Sequence, residues 1–483
     1  MSNLSMLIGG QPRAASTGAT FTRRNPLDGS VATTAPAASA DDARAAVDAA
    51  AAAFPAWSAL GPGERRAYLQ KAAHALEAKG AAFADAMARE TGASAMWAGF
   101  NVHLAAGMLM EAAALTTQIN GDVIPSDVPG SLAMALRQPA GVVLGIAPWN
   151  APVILGVRAV AVPLACGNTV VLKGSEISPA THGLIIEALQ EAGLPAGVVN
   201  FVTNAPADAG AVVEAMVAHP AVRRVNFTGS TRVGRLIAQT CAKHLKATVL
   251  ELGGKAPLLV LDDADLDAAV NGAAFGAFAN SGQICMSTER IVVDEKVADE
   301  FVARLAAKAS ALPLGDPREG PAVLGSVVDM ATVERCNALI DDALAKGATL
   351  VTGGKAANTL MPATLIDHVT REMRIYHDES FAPVKAIVRV KGVDEAVQVA
   401  NDNEFGLSAA VFGRDTARAL NVARRIESGI CHVNGPTVHD EAQMPFGGVK
   451  GSGWGRFGGR AGIDAFTELR WVTLQTSERH YPF

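Results

Sequence analysis

From residue 140 onward, short strand-length runs alternate with helix-length amphipathic stretches, and this alternation restricts the fold more than any other feature. Gly141-Val-Val-Leu-Gly-Ile146, Asn168-Thr-Val-Val-Leu-Lys173, Gly197-Val-Val-Asn-Phe-Val202 and Val222-Arg-Arg-Val-Asn-Phe-Thr228 are buried-strand candidates. Between them, Thr181–Ala192 and Thr231–His244 carry helical spacing, the latter with Val233, Leu236, Ile237 and Cys241 on one face. Strands separated by helical crossovers predict a parallel sheet covered by helices on both faces. A second alternating set over residues 258–433 predicts a second α/β unit, as a length of 483 residues requires more than one core.

Residues 41–119 read differently, as packed helices. Asp41 and Asp42 are the candidate caps, an alanine-rich run follows with Phe54 and Trp57 at core spacing, and Pro62-Gly63 interrupts it. Outside the main alternation, Leu132, Met134 and Leu136, and again Leu469, Trp471 and Thr473, recur with a period of two. They predict strands with pairable edges, met either by another subunit or by an ordinary edge hairpin.

Composition removes several classes of function. Hydrophobic residues make up 49% and charged residues 18%, which excludes a disordered chain. The net charge of −6 comes with no Lys/Arg cluster, so nucleic acid is not the expected partner. Cys166, Cys241, Cys285, Cys336 and Cys431 are scattered and show no metal-ligand spacing, so neither a disulfide framework nor a metal site is expected. The amino terminus lacks a basic n-region and no apolar run approaches transmembrane length, which predicts no membrane association and a cytoplasmic location.

Six segments carry the chemistry. Cys285 lies in a polar, glycine-containing bend, Asn280-Ser-Gly-Gln-Ile-Cys-Met-Ser-Thr-Glu-Arg290, between an apolar helical stretch (268–279) and a strand-like run. A cysteine in such a bend reaches water and substrate, whereas a packing cysteine lies in an apolar run. Ala147-Pro-Trp-Asn150 ends a strand, which makes the Asn150 amide either an oxyanion donor or a helix N-cap. Lys173 and Glu176 follow another strand, where parallel sheets bind nucleotides, and form either a ribose site or a surface ion pair. Asn226-Phe-Thr-Gly-Ser230 leads into a helix, capped by Ser230 or Thr231, whose amino end suits a pyrophosphate. The Gly-x-Gly-x-x-Gly fingerprint is absent, Thr203–Gly210 standing in its place. Glu251, in Leu250-Glu-Leu-Gly-Gly254, sits in an apolar run where burial raises a carboxyl toward the range of a general base. In Glu379-Ser-Phe-Ala-Pro383 an acid and an aromatic ring are spaced to hold a nicotinamide and its ribose.

Pro-Trp-Asn, Lys-x-x-Glu, Phe-Thr-Gly-Ser, Glu-Leu-Gly-Gly, Gly-Gln-x-Cys, Glu-x-Phe-x-Pro and Pro-Phe-Gly-Gly (Pro445 to Gly448) stand in the order of the NAD(P)-dependent aldehyde dehydrogenase superfamily. The chain resembles that family over essentially its whole length. The resemblance implies an α/β fold with a Rossmann-like NAD-binding domain (1–118 and 140–252), an α/β catalytic domain (253–452) and a small β oligomerisation element (119–139 and 453–483). It implies a homodimer or homotetramer. Cys285 would be the nucleophile, Asn150 and the Cys285 N–H the oxyanion donors, and Glu251 the base, with no metal. NAD would be held by Ile146, Trp149, Lys173, Glu176, Gly229, Ser230, Glu379 and Phe381, the acid at Glu176 favouring NAD over NADP.

Within the family, Ser94–His103, Arg158, Gly282–Arg290 and His480-Tyr-Pro-Phe483 look most like bacterial salicylaldehyde dehydrogenases, with vanillin and benzaldehyde dehydrogenases close. The substrate pocket would then comprise Trp97, Ile154, Arg158, Ile284, Met286 and Phe446. Arg158, near the Asn150 face of its helix, bonds a phenol or phenolate oxygen, stacks on a ring, or forms only a surface ion pair. Trp97 is either a pocket wall or a core tryptophan. The expected reaction is oxidation of an aromatic aldehyde to its carboxylate through a cysteine thiohemiacetal and thioester. The alternatives are a broad-specificity or aliphatic enzyme, a CoA-acylating enzyme, against which Glu251 stands, and a non-enzymatic crystallin-like protein.

Overall fold

The two stretches of alternation fold as two separate sheets in the computed structural model, which describes residues 2–483 and so leaves out Met1 of the expected 1–118 segment. In the first sheet the parallel strands run, side by side, Ala247–Glu251, Val222–Thr228, Val142–Ile146, Thr169–Lys173 and Val199–Val202. Numbered along the chain this order is five-four-one-two-three, a doubly wound sheet. Its strand order reverses beside Val142–Ile146, and the crevice at such a reversal is where open α/β sheets bind ligands. Antiparallel strands Met6–Ile8 and Gly453–Trp454 extend the two sides. The second sheet is ordered Thr349–Thr352, Thr364–Asp367, Val384–Val390, Thr288–Asp294, Ala256–Val260, Ser408–Phe412 and Ile430–Val433, parallel except for the first.

Four helices, Ala40–Ser58, Pro62–Ala78, Gly80–Thr91 and Ala95–Leu115, occupy the expected helical region. The first is capped by Ser39 rather than by Asp41 or Asp42. Ser39 Oγ accepts from the Asp42 N–H while the Asp42 carboxylate accepts from the Ser39 N–H, a capping box that places both acids inside the first turn. Ala95–Leu115 corrects a second expectation, because by length and composition it is apolar enough to cross a membrane. More than half of its most apolar window is buried, against Pro62–Ala78 and Pro152–Ala165, so here it serves as a core helix.

On the helix Thr231–Lys243 the buried stripe is Gly234, Ile237 and Cys241, whereas Leu236 is 54% exposed. A Cβ at Gly234 would lie 2.4 Å from the Leu252 side chain, so the helix approaches its sheet at Gly234 and turns Leu236 outward. The two period-two segments pair with each other, and the first also forms a hairpin with the strand before it. Thr467–Gln475 runs antiparallel to Ser131–Pro139, with Trp471 opposite Ala135, and Asp122–Ile124 completes a three-stranded sheet. Thr467–Gln475 remains an outer strand with Leu469 and Trp471 exposed, Trp471 by 78%.

Candidate active site

Ile146 pairs with Lys173 and Thr228 with Glu251, so the segments following these strands emerge together along one edge of the first sheet. The Cys285 loop precedes Thr288–Asp294, and Glu379–Phe381 precedes Val384–Val390, at the amino ends of second-sheet strands. The site lies where these two edges face one another.

Asn280, Ser281 and Gly282 take consecutive positive φ angles of 49°, 55° and 72°. Left-handed backbone at two non-glycine residues is strained and persists only where neighbours impose it. Here Asn280 Nδ2 donates to the Asn150 carbonyl (2.9 Å), Ser281 Oγ donates to Gly325 O (3.1 Å), and Gln283 Oε1 accepts from the Val328 N–H (2.9 Å). Glycine is required at 282, since a Cβ would lie 2.3 Å from Ala382 O. This bracing presents a half-buried Cys285. Burial, and next the charge of Glu251, push its thiol well above the ordinary range, so the resting thiol keeps its proton until a base removes it.

Asn150 is buried, and its Nδ2 donates to the Gln283 carbonyl at 3.1 Å. The following helix, Pro152–Ala165, begins at Ala151 without a side-chain cap, which removes the N-cap reading of Asn150. Trp97 Nε1 donates to the Asn150 carbonyl at 2.9 Å and so fixes that backbone. Glu251 is 1% exposed, and neither carboxyl oxygen has a hydrogen-bond partner. Burial raises it to about 7, against the lowering influence of Cys285 and Arg158 and with a contribution from Asp440.

On one side of Cys285 opens a cleft of about 440 Å³, walled by Trp149, Gly229, Ser230, Glu379 and Phe381 and floored by Asn150 and Glu251. Glu379 Oε1 accepts from the Gly254 N–H (2.9 Å), and burial pushes this acid up to about 7 as well. Trp149 and Phe381 meet edge to face at 5.7 Å. Ser230 caps Thr231–Lys243, whose first N–H groups are open to an anion. Ile146, Lys173 and Glu176 lie at the same sheet edge but outside the cleft wall. Glu176 Oε1 accepts from Lys173 Nζ (2.6 Å) and Asn204 Nδ2 (2.8 Å). The lysine is nearly buried, so this is no surface ion pair. Burial alone would raise the Glu176 carboxyl, but the Lys173 ammonium outweighs it and holds the group below its usual range. An ionised acceptor, a helix amino end and an aromatic wall fit a nicotinamide dinucleotide.

On the other side is a narrow, largely apolar pocket. Trp97, Ile154, Arg158, Ile284, Met286 and Phe446 all line it, together with Phe100, Val438 and Asp440. Trp97 is both wall and core, stacked on Phe100 at 5.4 Å. The Arg158 guanidinium sits over the Phe446 ring, 4.1 Å from its centroid, and pairs with Asp440. Each side chain of that pair is only 6% exposed, which replaces the surface-pair reading of Arg158 with a buried pair inside the pocket.

Residues 13–472 match the model of the aldehyde dehydrogenase family. The chain belongs to that family. It is 64% identical to vanillin dehydrogenase of Pseudomonas fluorescens over 100% of both chains, and 54% identical to salicylaldehyde dehydrogenase of Pseudomonas putida over 96% of both. The crystal structure of a salicylaldehyde dehydrogenase from Pseudomonas putida G7 complexed with salicylaldehyde superimposes with a TM-score of 0.99, at 52% identity and full coverage of both chains.

Several residues of this aldehyde dehydrogenase site escaped the sequence reading. Asp329, Thr332 and Arg335 close the far side of the cleft from a segment that carries no motif. Asp440 lies in the irregular stretch after Ile430–Val433, 282 residues from its partner Arg158, and no local spacing signals the pair. Phe100 stands one helical turn from Trp97, and that spacing was the available clue.

Proposed function

We propose that this aldehyde dehydrogenase oxidises hydroxylated aromatic aldehydes to their carboxylates, with NAD as hydride acceptor. The observation that carries the reading is the buried Arg158, placed over Phe446 beside Asp440 in the pocket that Cys285 shares. A flat, aromatic-lined slot ending in a polar pair suits a substituted ring better than a flexible alkyl chain. The vanillin and salicylaldehyde dehydrogenases among its relatives support the same substrate class.

The carbonyl carbon is attacked by Cys285 Sγ, whose proton passes to Glu251, a buried acid beside it with both acceptor oxygens open. Asn150 Nδ2 leaves the Gln283 carbonyl to donate to the oxyanion of the thiohemiacetal, together with the Cys285 N–H. Bound in the cleft, NAD supplies the hydride acceptor. Once Glu251 has given the thiol proton up to solvent, it deprotonates the water that hydrolyses the remaining thioester, and that second proton passes to the departing thiolate, which releases the acid product and restores the thiol. A carboxyl held near 7 suits both proton transfers. Its open oxygens favour hydrolysis over transfer of the acyl group to CoA.

Members of the family take a nicotinamide dinucleotide. The ionised Glu176, already bonded to Lys173 and Asn204, accepts from a ribose hydroxyl and repels a 2′-phosphate, which supports NAD over NADP. Trp149, Gly229, Ser230, Glu379 and Phe381 hold the remainder, with Ile146 behind them. The dinucleotide unit comprises residues 1–118 and 140–252, the catalytic unit 253–452, and the exposed sheet contributed by 119–139 and 453–483 joins subunits into a dimer or tetramer in the cytoplasm.

The test is kcat/KM for salicylaldehyde, vanillin, benzaldehyde and hexanal, each with NAD and NADP, beside a Cys285→Ala control. The expected order places both hydroxylated aldehydes first and NAD ahead of NADP. A preference for hexanal refutes the aromatic reading.

A further inference from the structure

Among the described residues, Asp440 is the acid of the ring pocket whose role the reaction leaves open. Its Oδ2 pairs with Arg158, while its Oδ1 is buried and accepts nothing. Leaving a charged oxygen unpaired inside a protein is unfavourable unless something else supplies the missing donor. The walls around it, Trp97, Phe100, Ile154, Val438 and Phe446, offer none, and the Trp97 N–H is committed to Asn150. Arg158, for its part, makes one hydrogen bond, to Asp440, which leaves further N–H groups of its fork uncommitted.

From this juxtaposition we infer that Asp440 determines specificity for the ring hydroxyl, accepting its hydrogen bond at Oδ1 while Arg158 donates to the hydroxyl oxygen. The inference rests on the aromatic-aldehyde reading and deepens it. A neutral phenol carries one donor and free lone pairs, the complement of an open carboxylate oxygen beside open guanidinium N–H groups. A methoxy group satisfies the arginine and leaves Oδ1 unpaired. A carboxylate substituent would gain from a free arginine, but here it meets the Asp440 charge that already neutralises the guanidinium. Burial raises the Asp440 carboxyl above its ordinary range, which makes it a more basic and stronger acceptor. The pair therefore separates hydroxybenzaldehydes both from their ethers and from acidic aldehydes, by the unpaired group that each wrong substrate leaves behind.

The experiment compares kcat/KM for 2-, 3- and 4-hydroxybenzaldehyde with that for the matching methoxybenzaldehydes, and adds 4-carboxybenzaldehyde, in the wild-type enzyme and in Asp440→Asn. In the variant the amide oxygen faces Arg158 and an N–H faces the ring, so the acceptor is lost. The hydroxy-to-methoxy ratio of the preferred isomer is expected to be roughly 10- to 100-fold in the wild type and to fall to about unity in D440N. The ratio for 4-carboxybenzaldehyde over benzaldehyde should rise in the variant. An unchanged hydroxy-to-methoxy ratio in D440N overturns the inference. Should D440N fail to fold, Cys285→Ala enzyme titrated with the hydroxy and methoxy compounds by tryptophan fluorescence decides, and equal affinities overturn it. The two readings fail separately. Preference for hexanal removes the aromatic reading and this one with it, whereas preference for benzaldehydes without hydroxyl discrimination removes this one alone.

Discussion

Replacing Glu251 by glutamine tests the electrostatics of the site and its chemistry together. The carboxyl is 1% exposed, and its pKa stands at about 7 against an ordinary 4.5. The folded protein thus holds this proton more tightly than the unfolded chain. The resulting stabilisation is complete below pH 4.5 and is lost as the pH rises to about 7. That displacement is worth about 3 kcal/mol, undiminished by solvent at so buried a group. Glutamine keeps the shape without the charge. The E251Q protein should therefore match the wild type in urea unfolding at pH 4.5 and exceed it by about 3 kcal/mol at pH 8. In stopped flow it should release at most one NADH per subunit, more slowly than the wild type for want of a base at the Cys285 thiol, and then stall, with steady-state turnover reduced roughly 10²- to 10⁴-fold because the thioester lacks its base too. Wild-type turnover should rise with pH through about 7 as the carboxylate forms. A stability difference that does not grow with pH refutes the burial argument, and undiminished turnover in E251Q refutes the assigned role.

Asn150→Ala removes one of the two proposed oxyanion donors, so kcat should fall roughly 10²- to 10³-fold while NAD still binds in a fluorescence titration; near-normal kcat would contradict that placement. Glu176→Gln abolishes the charge proposed to repel a 2′-phosphate, and the NAD-to-NADP ratio of kcat/KM should drop by about tenfold, the equivalent of about 1.4 kcal/mol of lost repulsion; an unchanged ratio would contradict that role. Trp471→Glu sets a charge on the exposed outer strand, and sedimentation velocity should show a lighter species than the wild type; an unchanged coefficient would exclude that face as the subunit contact.

Parallel strands such as Val142–Ile146 were legible because both of their faces are buried, so an uninterrupted apolar run marks them whatever surrounds them. The candidate residues of the first sheet stood out because they lie at or just past strand ends, where a change from apolar to polar chemistry shows in a single sequence. What failed did so for equally local reasons. Leu236 counts as apolar at helical spacing, yet Gly234 decides which side of that helix touches the sheet, and a missing side chain leaves no hydrophobic signal. Ser39 takes the cap although Asp41 and Asp42 are good capping residues, because the reciprocal bond from Asp42 back to Ser39 satisfies two groups at once. The Ala95–Leu115 helix has a membrane-like composition because it is packed by apolar neighbours on several sides, and burial in protein and burial in lipid ask for the same residues. Asp440 was invisible because its partner is far away in sequence and the segment carrying it has no period.

That hidden residue also ties recognition to catalysis. Arg158 lowers the proton affinity of both Cys285 and Glu251, while the Asp440 charge raises that of Glu251. The pair proposed to meet the ring hydroxyl therefore also acts on Glu251, the proposed base at the thioester. With the Asp440 charge gone, Glu251 feels an uncompensated guanidinium, and its ionisation moves to lower pH. The rising limb of turnover in D440N should accordingly lie below that of the wild type, for benzaldehyde as much as for its hydroxy derivatives. Substrate ratios taken at one pH cancel this shared displacement, whereas the pH profile isolates it. A limb that stays in place while the hydroxyl discrimination disappears would mean that Asp440 reads the ring without influencing the base, and that the two cavities meeting at Cys285 operate independently.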